Sequence, residues 1–312
     1  MPIPIVDSHI HLFPASHLPT LAWYGPNNPL ASEHCVGEYR LASSSSTPIT
    51  PDPTHPVYLR GFIFIETARI SAIEESGDGW KHVFDEVFLL ARIVRGEPID
   101  GEQCRSVDCP PCLGIVPWAP VPAGAAVLEK YMDRVKETAG TEDVWKKVRG
   151  VRYLVQDKPA GVMLQPEFVD GLKWLGRKGF VFGLGVDARQ GGLGQLREAV
   201  EMMKRVYEGV DEKEQVVMVI GMFSIHTEIW IPFNYYYFRS SLQTKPAPSL
   251  RVHHYTSRLP GMDVSHSRHG TLSQDIHEAL RRILRATVTF THPGTQYLLA
   301  HWQGSAVDRC GI

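Results

Sequence analysis

Two histidines close the first apolar run of the chain, where VDSHIHLF sets His9 and His11 two residues apart behind Ile3–Val6. On a strand, side chains two apart project to the same side. The two imidazoles are therefore expected to point together, and an imidazole pair suits Zn²⁺ or a similar divalent ion. Asp7 is placed to orient one ring from behind. The alternative is a pair of buried, hydrogen-bonded histidines that hold no ligand.

Later runs add polar residues at strand ends. Glu66 closes GFIFIETAR, either as a ligand or general base, or as a capping or salt-bridged carboxylate. VRGVRYLVQDKP puts Arg152, Leu154 and Gln156 on one face by alternation. Arg152 could clamp a substrate oxygen, with Gln156 bonding beside it. GLGVDARQGG offers Asp187 as a second catalytic carboxylate, or as the ion-pair partner of Arg189. The CPPC sequence of Cys109 to Cys112 has the spacing of a thiol pair but no second pair at zinc-site distance, so loop thiols are expected. The five cysteines, an odd number, argue against a disulfide framework. No nucleophile elbow, phosphate-binding loop or dinucleotide fingerprint occurs.

The elements that must position these residues alternate between short β-branched or aromatic runs and amphipathic stretches, the pattern of a parallel sheet with crossover helices. Strands are predicted at Ile3–Ser8, Tyr58–Glu66, Leu113–Trp118, Val148–Val155, Gly179–Gly185 and Val216–Ile220. Helices are predicted at Trp80–Arg95, Ala123–Thr138, Pro166–Lys178 and Gly194–Tyr207. Six strands in this rhythm suit a (β/α)8 TIM barrel of about 250 residues, whose sites lie at the C-terminal strand ends. A doubly wound open sheet is the second choice, because no Gly-rich turn follows the first strand. The Pro/Ser/Thr-rich insertion from Pro14 to Pro56, with Trp23, Tyr24 and the polar run Ser43–Thr47, would lie over the barrel mouth as a lid or a surface loop.

Composition is that of an ordinary globular protein, with 43% hydrophobic and 21% charged residues. A net charge of −2 gives no electrostatic case for nucleic acid or a membrane surface. The N-terminal residues lack the pattern of a signal peptide and no apolar run approaches a membrane span, so a cytoplasmic protein is expected.

VDSHIHLF, LGIVPWAPVPAG, VRGVRYLVQDKP and GVDARQGGLGQLREAV, in this order, resemble the amidohydrolase-related barrel hydrolases, and among them the fungal sugar-lactonase-like branch. The resemblance spans Met1 to about Ile220. It implies a metal-dependent-hydrolase barrel that opens a small lactone, most readily a sugar-acid γ-lactone, with a divalent ion such as zinc. His9 and His11 match the family's first-strand pair, and Arg152 and Gln156 match polar positions of its fourth strand. A zinc-dependent decarboxylase of an organic acid is the alternative within the superfamily.

A family member would continue into DHLCKP and then YMKLSG, and neither occurs here. From Gly221 the texture changes: eight of the fourteen histidines fall between His226 and His301. RSSLQT (Arg239–Thr244) can be encoded AGA TCA TCT CTG CAA ACC, which one base later reads DHLCKP. QDIHEALRRILRAT (Gln274–Thr287) can be encoded so that the same shift reads KIYMKLSGGFSELP. Gly221–Phe223 can carry GTATGT, a fungal intron start, and Phe238–Arg239 an intron-ending CAG. The chain therefore divides into a barrel portion, 1–220, and an atypical tail, 221–312, read as a retained intron followed by out-of-frame sequence. On that reading the barrel is incomplete after about residue 220, and the chain itself could be a non-catalytic product. His253, His254, His266 and His269 are then not a designed site, and Leu280–Leu284 forms helix by composition only.

Overall fold

The computed structural model describes residues 3–25, 27–28, 30–43, 57–74, 79–97, 99, 112–187, 192–223 and 236–238. Six parallel strands follow one another in space as they do in sequence: β1 (Ile3–Ile10), β2 (Val57–Ile65), β3 (Cys112–Val116), β4 (Gly150–Leu154), β5 (Val181–Asp187) and β6 (Val217–Phe223). β3 meets β4 through short parallel bridges at Ile115–Val148 and Trp118–Arg152. The Arg152 N–H donates to Pro117 O at 2.9 Å and the Ala119 N–H to Arg152 O at 3.1 Å. A doubly wound sheet reverses its strand order at a switch point. No such reversal separates these six, which removes the second choice.

The described helices are α1 (Val36–Ser43), α2 (Lys81–Arg95), α3 (Ala125–Ala139), α4 (Glu142–Trp145), α5 (Pro166–Arg177) and α6 (Gly192–Tyr207). The six predicted strands and four predicted helices are present, with ends moved by at most three residues. α1 and α4 were not predicted. α1 buries only Val36 and Tyr39, too few apolar positions to print a helical period on a Pro- and Ser-rich stretch. The strand after β6 also departs from expectation. β7 (Tyr236–Phe238) pairs antiparallel to β6, whereas the next strand of a barrel would run parallel.

Alternation explains how the sheet is covered. On β4, Tyr153 turns toward α5, where Phe168 packs against it and against Phe182 of β5, at ring separations of 6.3 and 6.0 Å. A second aromatic knot joins α2 to α3. Tyr131 lies 5.1 Å from Trp80 and 5.2 Å from Phe84, and its hydroxyl donates to Trp118 O at 2.6 Å. Burying each such side chain contributes about 1.5–3 kcal/mol. α2 ends at Gly96, whose φ of 68° lets its N–H reach the Arg92 and Ile93 carbonyls.

The tightest helix–loop approach is at Gly176 on α5, where an added Cβ would stand 2.1 Å from the Glu214 carbonyl oxygen. Gly176→Ala is expected to lower stability by about 1–3 kcal/mol through overpacking, read as a lower urea midpoint at unchanged m value. An unchanged midpoint would show that the segment before β6 yields freely. Among the described residues, no helix is long and apolar enough to cross a membrane.

Candidate active site

The C-terminal ends of β1, β2 and β4 converge. His9 Nε2 and His11 Nε2 face each other at 3.0 Å, with the rings edge-to-face. His11 Nδ1 lies 2.9 Å from Ile65 O, at the end of β2. A carbonyl can only accept, so His11 carries its proton on Nδ1 and leaves Nε2 as a lone-pair donor. Asp7 takes the backbone N–H of His9 at 3.3 Å and the Tyr39 hydroxyl at 3.2 Å, so its hold on the pair runs through the His9 backbone. Register shifts interrupt the β1–β2 pairing around these residues, which re-aims side chains relative to strict alternation.

The next residue of the β2 end, Glu66, is fully buried. Its Oε1 accepts from Arg152 Nε at 2.5 Å, its Oε2 from the Ala68 N–H at 2.5 Å, and its backbone carbonyl from Arg152 Nη2 at 2.7 Å. Of the roles the sequence leaves open for Glu66, the geometry shows the salt-bridged carboxylate. Ala68 beside it holds φ at 56°, a left-handed conformation that costs a non-glycine residue roughly 1–2 kcal/mol and that concentrates at functional sites.

β5 gives way to the residues of β4. A Cβ on Gly183 would sit 3.3 Å from Arg152 Cγ, and one on Gly185 would sit 2.9 Å from Leu154 Cδ2. The glycines of GLGVD thus make room for the site-facing side of β4. Gln156 stands beyond the end of β4, its Oε1 buried without a hydrogen-bond partner among the described residues. Asp187 is buried at the end of β5, and its N–H donates to Gln195 Oε1 at 2.8 Å. Its expected partner Arg189 lies outside the described residues.

The insertion after β1 is pinned to the same place. Trp23 Nε1 donates to Thr67 O at 2.8 Å, the Ala22 N–H to Ala68 O at 2.8 Å, and the Ile70 N–H to Thr20 O at 2.7 Å. The lid or loop expected from Pro14 to Pro56 is, in its described part, a strap over the β2 end. Residues 44–56 lie outside the description, as do His253, His254, His266, His269 and Leu280–Leu284. So do Cys109, Pro110 and Pro111. Cys112 is a strand residue, not a loop thiol: it opens β3, free and buried, and burial pushes its thiol up to about 12.

Glu86 on α2 gave no signal in the sequence, because it occupies an ordinary surface-type letter in an amphipathic helix. It is buried, and its Oε1 accepts from both the N–H and the hydroxyl of Thr67. Burial, and next the charge of Glu66, raise its carboxyl to about 7. The folded protein therefore binds a proton that the unfolded chain releases near pH 4.5, and stability falls as pH rises from there through about 7. A shift of this size corresponds to roughly 3 kcal/mol. Glu86→Gln is expected to recover most of that at pH 8 and little at pH 4, measured by urea unfolding at both. Equal effects at the two pH values would place the charge elsewhere.

The Nε2 atoms 3.0 Å apart are at hydrogen-bond distance, His9 donating to the His11 lone pair, and lie a few tenths of an ångström inside the roughly 3.3 Å that two tetrahedral Zn–N bonds of about 2.0–2.1 Å would set. Among the described residues, no group of three or more His, Cys, Asp or Glu side chains is arranged to hold a metal ion. The pair supplies part of a coordination shell.

No protein-family model matches the chain. An L-rhamnono-γ-lactonase of Scheffersomyces stipitis is 32% identical over 203 residues, which are 65% of this chain and 57% of that protein. The match thus spans less than two thirds of the relative's length. Amidohydrolase 2 from Bifidobacterium longum subsp. infantis superposes with a TM-score of 0.38 at 15% identity, covering 68% of this chain and 66% of that one. An amidohydrolase from Burkholderia multivorans, solved with bound zinc, gives a TM-score of 0.31 at 17% identity over 65% of each chain. These superpositions are partial, and the relationship rests on the sequence match. By that match the chain is similar to an L-rhamnono-γ-lactonase over 203 residues.

Proposed function

We propose that residues 1–220 are the front of a (β/α)8-barrel hydrolase that opens a sugar-acid γ-lactone, and that 221–312 is a tail read from a retained intron and a shifted frame. One observation carries the functional reading. The imidazole pair and a clamped guanidinium meet at the ends of β1, β2 and β4, linked through His11, Ile65, Glu66 and Arg152. The sequence kinship to a protein named as a lactonase supports the substrate class.

In this reading His9 and His11 hold a divalent ion, zinc first, which when bound polarises a carbonyl oxygen and acidifies a water. Arg152 spends Nε and Nη2 on Glu66 and keeps Nη1 for a substrate oxygen. Glu66 is then a positioning residue, fixing the plane of that guanidinium. Gln156 Oε1 awaits a donor, which the hydroxyls of a sugar lactone supply. Asp187, the other carboxylate at the strand ends, takes the acid–base role. Water attacks the lactone carbonyl, the ring C–O bond breaks, and the leaving alkoxide takes a proton to give the hydroxy acid.

The experiment is a pH-stat assay with γ-lactones of sugar acids beside a CO₂-release assay with aromatic acids, with metal content measured on the same sample. Proton release from lactones alone supports the hydrolase. CO₂ release alone would replace it with a decarboxylase. A second reading, a chain with no activity of its own, is favoured by the antiparallel β7, which occupies the β6 edge where a barrel would continue in parallel.

A further inference from the structure

Behind the end of β2, three side chains from three elements bury polar atoms that have no hydrogen-bond partner among the described residues. They are Nδ1 of His17 in the Ala15–Thr20 turn, Nε and Nη1 of Arg69, and Oε2 of Glu86 on α2. Arg69 is 3% exposed and Glu86 1%. The three are within electrostatic reach of one another: Arg69 feels Glu86 and Asp85, while His17 feels Arg69, Arg92 and His82. Buried polar groups in folded proteins are almost all paired, and a knot of unpaired ones marks the place of a water or an ion. A buried guanidinium with two nitrogens lacking hydrogen-bond acceptors is the most costly member of such a knot.

Charge selects the occupant. Arg69 brings a permanent positive charge to this place, with Nε and Nη1 both unpartnered among the described residues. Against it stand Asp85, half exposed beside His82, and Glu86, which burial drives toward its neutral, hydrogen-donating form. We propose that Arg69, His17 and the Glu86 carboxyl form a binding site for a small oxyanion, the carboxylate of an organic acid or a phosphate group, covered by the Ala15–Thr20 turn. Arg69 donates its guanidinium N–H groups and the protonated Glu86 donates its O–H. His17 donates from Nδ1 as a neutral ring, which burial and the nearby Arg69 keep unprotonated. The cover is tied on by the Leu21–Arg69 bridge and by the Ile70 N–H to Thr20 O bond, so the site is built by the insertion as well as by the sheet.

The test is thermal unfolding of the full chain followed by circular dichroism. The chain is titrated with sodium phosphate and separately with sodium gluconate, against sodium chloride at matched ionic strength. The unsubstituted chain is expected to gain about 5–10 °C at a hundredfold excess of oxyanion over its Kd. Chloride is expected to give no comparable gain. A response to phosphate alone identifies a phosphate site, and a response to gluconate identifies a carboxylate site. Arg69→Met is expected to melt above the ligand-free parent and to ignore both anions, and Arg69→Lys to respond with affinity at least tenfold weaker. A flat titration of the parent with both anions would overturn the proposal. So would a Lys variant that responds as the parent does, even if the Met variant fails to fold. An Arg69→Met protein that melts below the parent, with no anion response in either, would make Arg69 an internal partner of Glu86.

Discussion

Glu66→Ala is expected to remove about 3–5 kcal/mol of stability, the cost of leaving a buried cation without its partner. The carboxylate is fully buried and both of its oxygens are engaged, one by Arg152 and one by the Ala68 N–H. Removing it orphans the Arg152 Nε at once and frees the strained Ala68 turn on which the Trp23 segment docks. The loss is measurable as a drop in urea midpoint. The double variant Glu66→Ala/Arg152→Met is expected to be more stable than Glu66→Ala alone, because the second change deletes the uncompensated charge. Additive losses would show that the two side chains act independently, contrary to their 2.5 Å contact. Glu66→Gln separates charge from shape. It keeps an acceptor for Ala68, and its deficit reports the ion pair.

How much of this could be read from the residues differs between the scaffold and the site. The strands and main helices followed from periodicity, because each buries one face against a neighbour and prints that face on the sequence. The imidazole pair followed from the same rule. Its orientation did not: the Nε2 atoms meet because Ile65 O fixes the His11 ring, a contact 54 residues away in sequence. The Arg152–Glu66 bridge spans 86 residues, and nothing local in either strand announces it. Gly183 and Gly185 have no motif spacing that assigns them a role from sequence. They are spaces for Arg152 and Leu154, a meaning that exists only once β4 and β5 are paired. Glu86 was silent because burial of a helix carboxylate depends on Thr67, Arg69 and the strap above them. Local pattern thus supplied the elements, while long-range pairing decided what each polar side chain does.

Restoring the reading frame is expected to have the largest effect of any change to this chain. With the codons that this reading assigns, excision of the proposed intron between Gly221 and Arg239 would turn Arg239–Thr244 into DHLCKP and Gln274–Thr287 into KIYMKLSGGFSELP. In place of an antiparallel β7 the sheet gains further parallel strands, and the open edges that an unclosed barrel leaves are covered. Those strand ends would also complete the shell that His9 and His11 begin.

The most direct measurement is therefore the pH-stat rate of γ-lactone opening by the frame-restored chain, beside the 312-residue chain, at equal concentration and with zinc supplied. Turnover by the restored chain is expected to be at least a hundredfold above that of the 312-residue chain, and to be lost when His9 and His11 are both replaced by asparagine. Equal rates in the two chains would contradict the shifted-frame reading of 221–312. A restored chain that opens lactones equally well without His9 and His11 would contradict the assignment of the pair at the heart of the site.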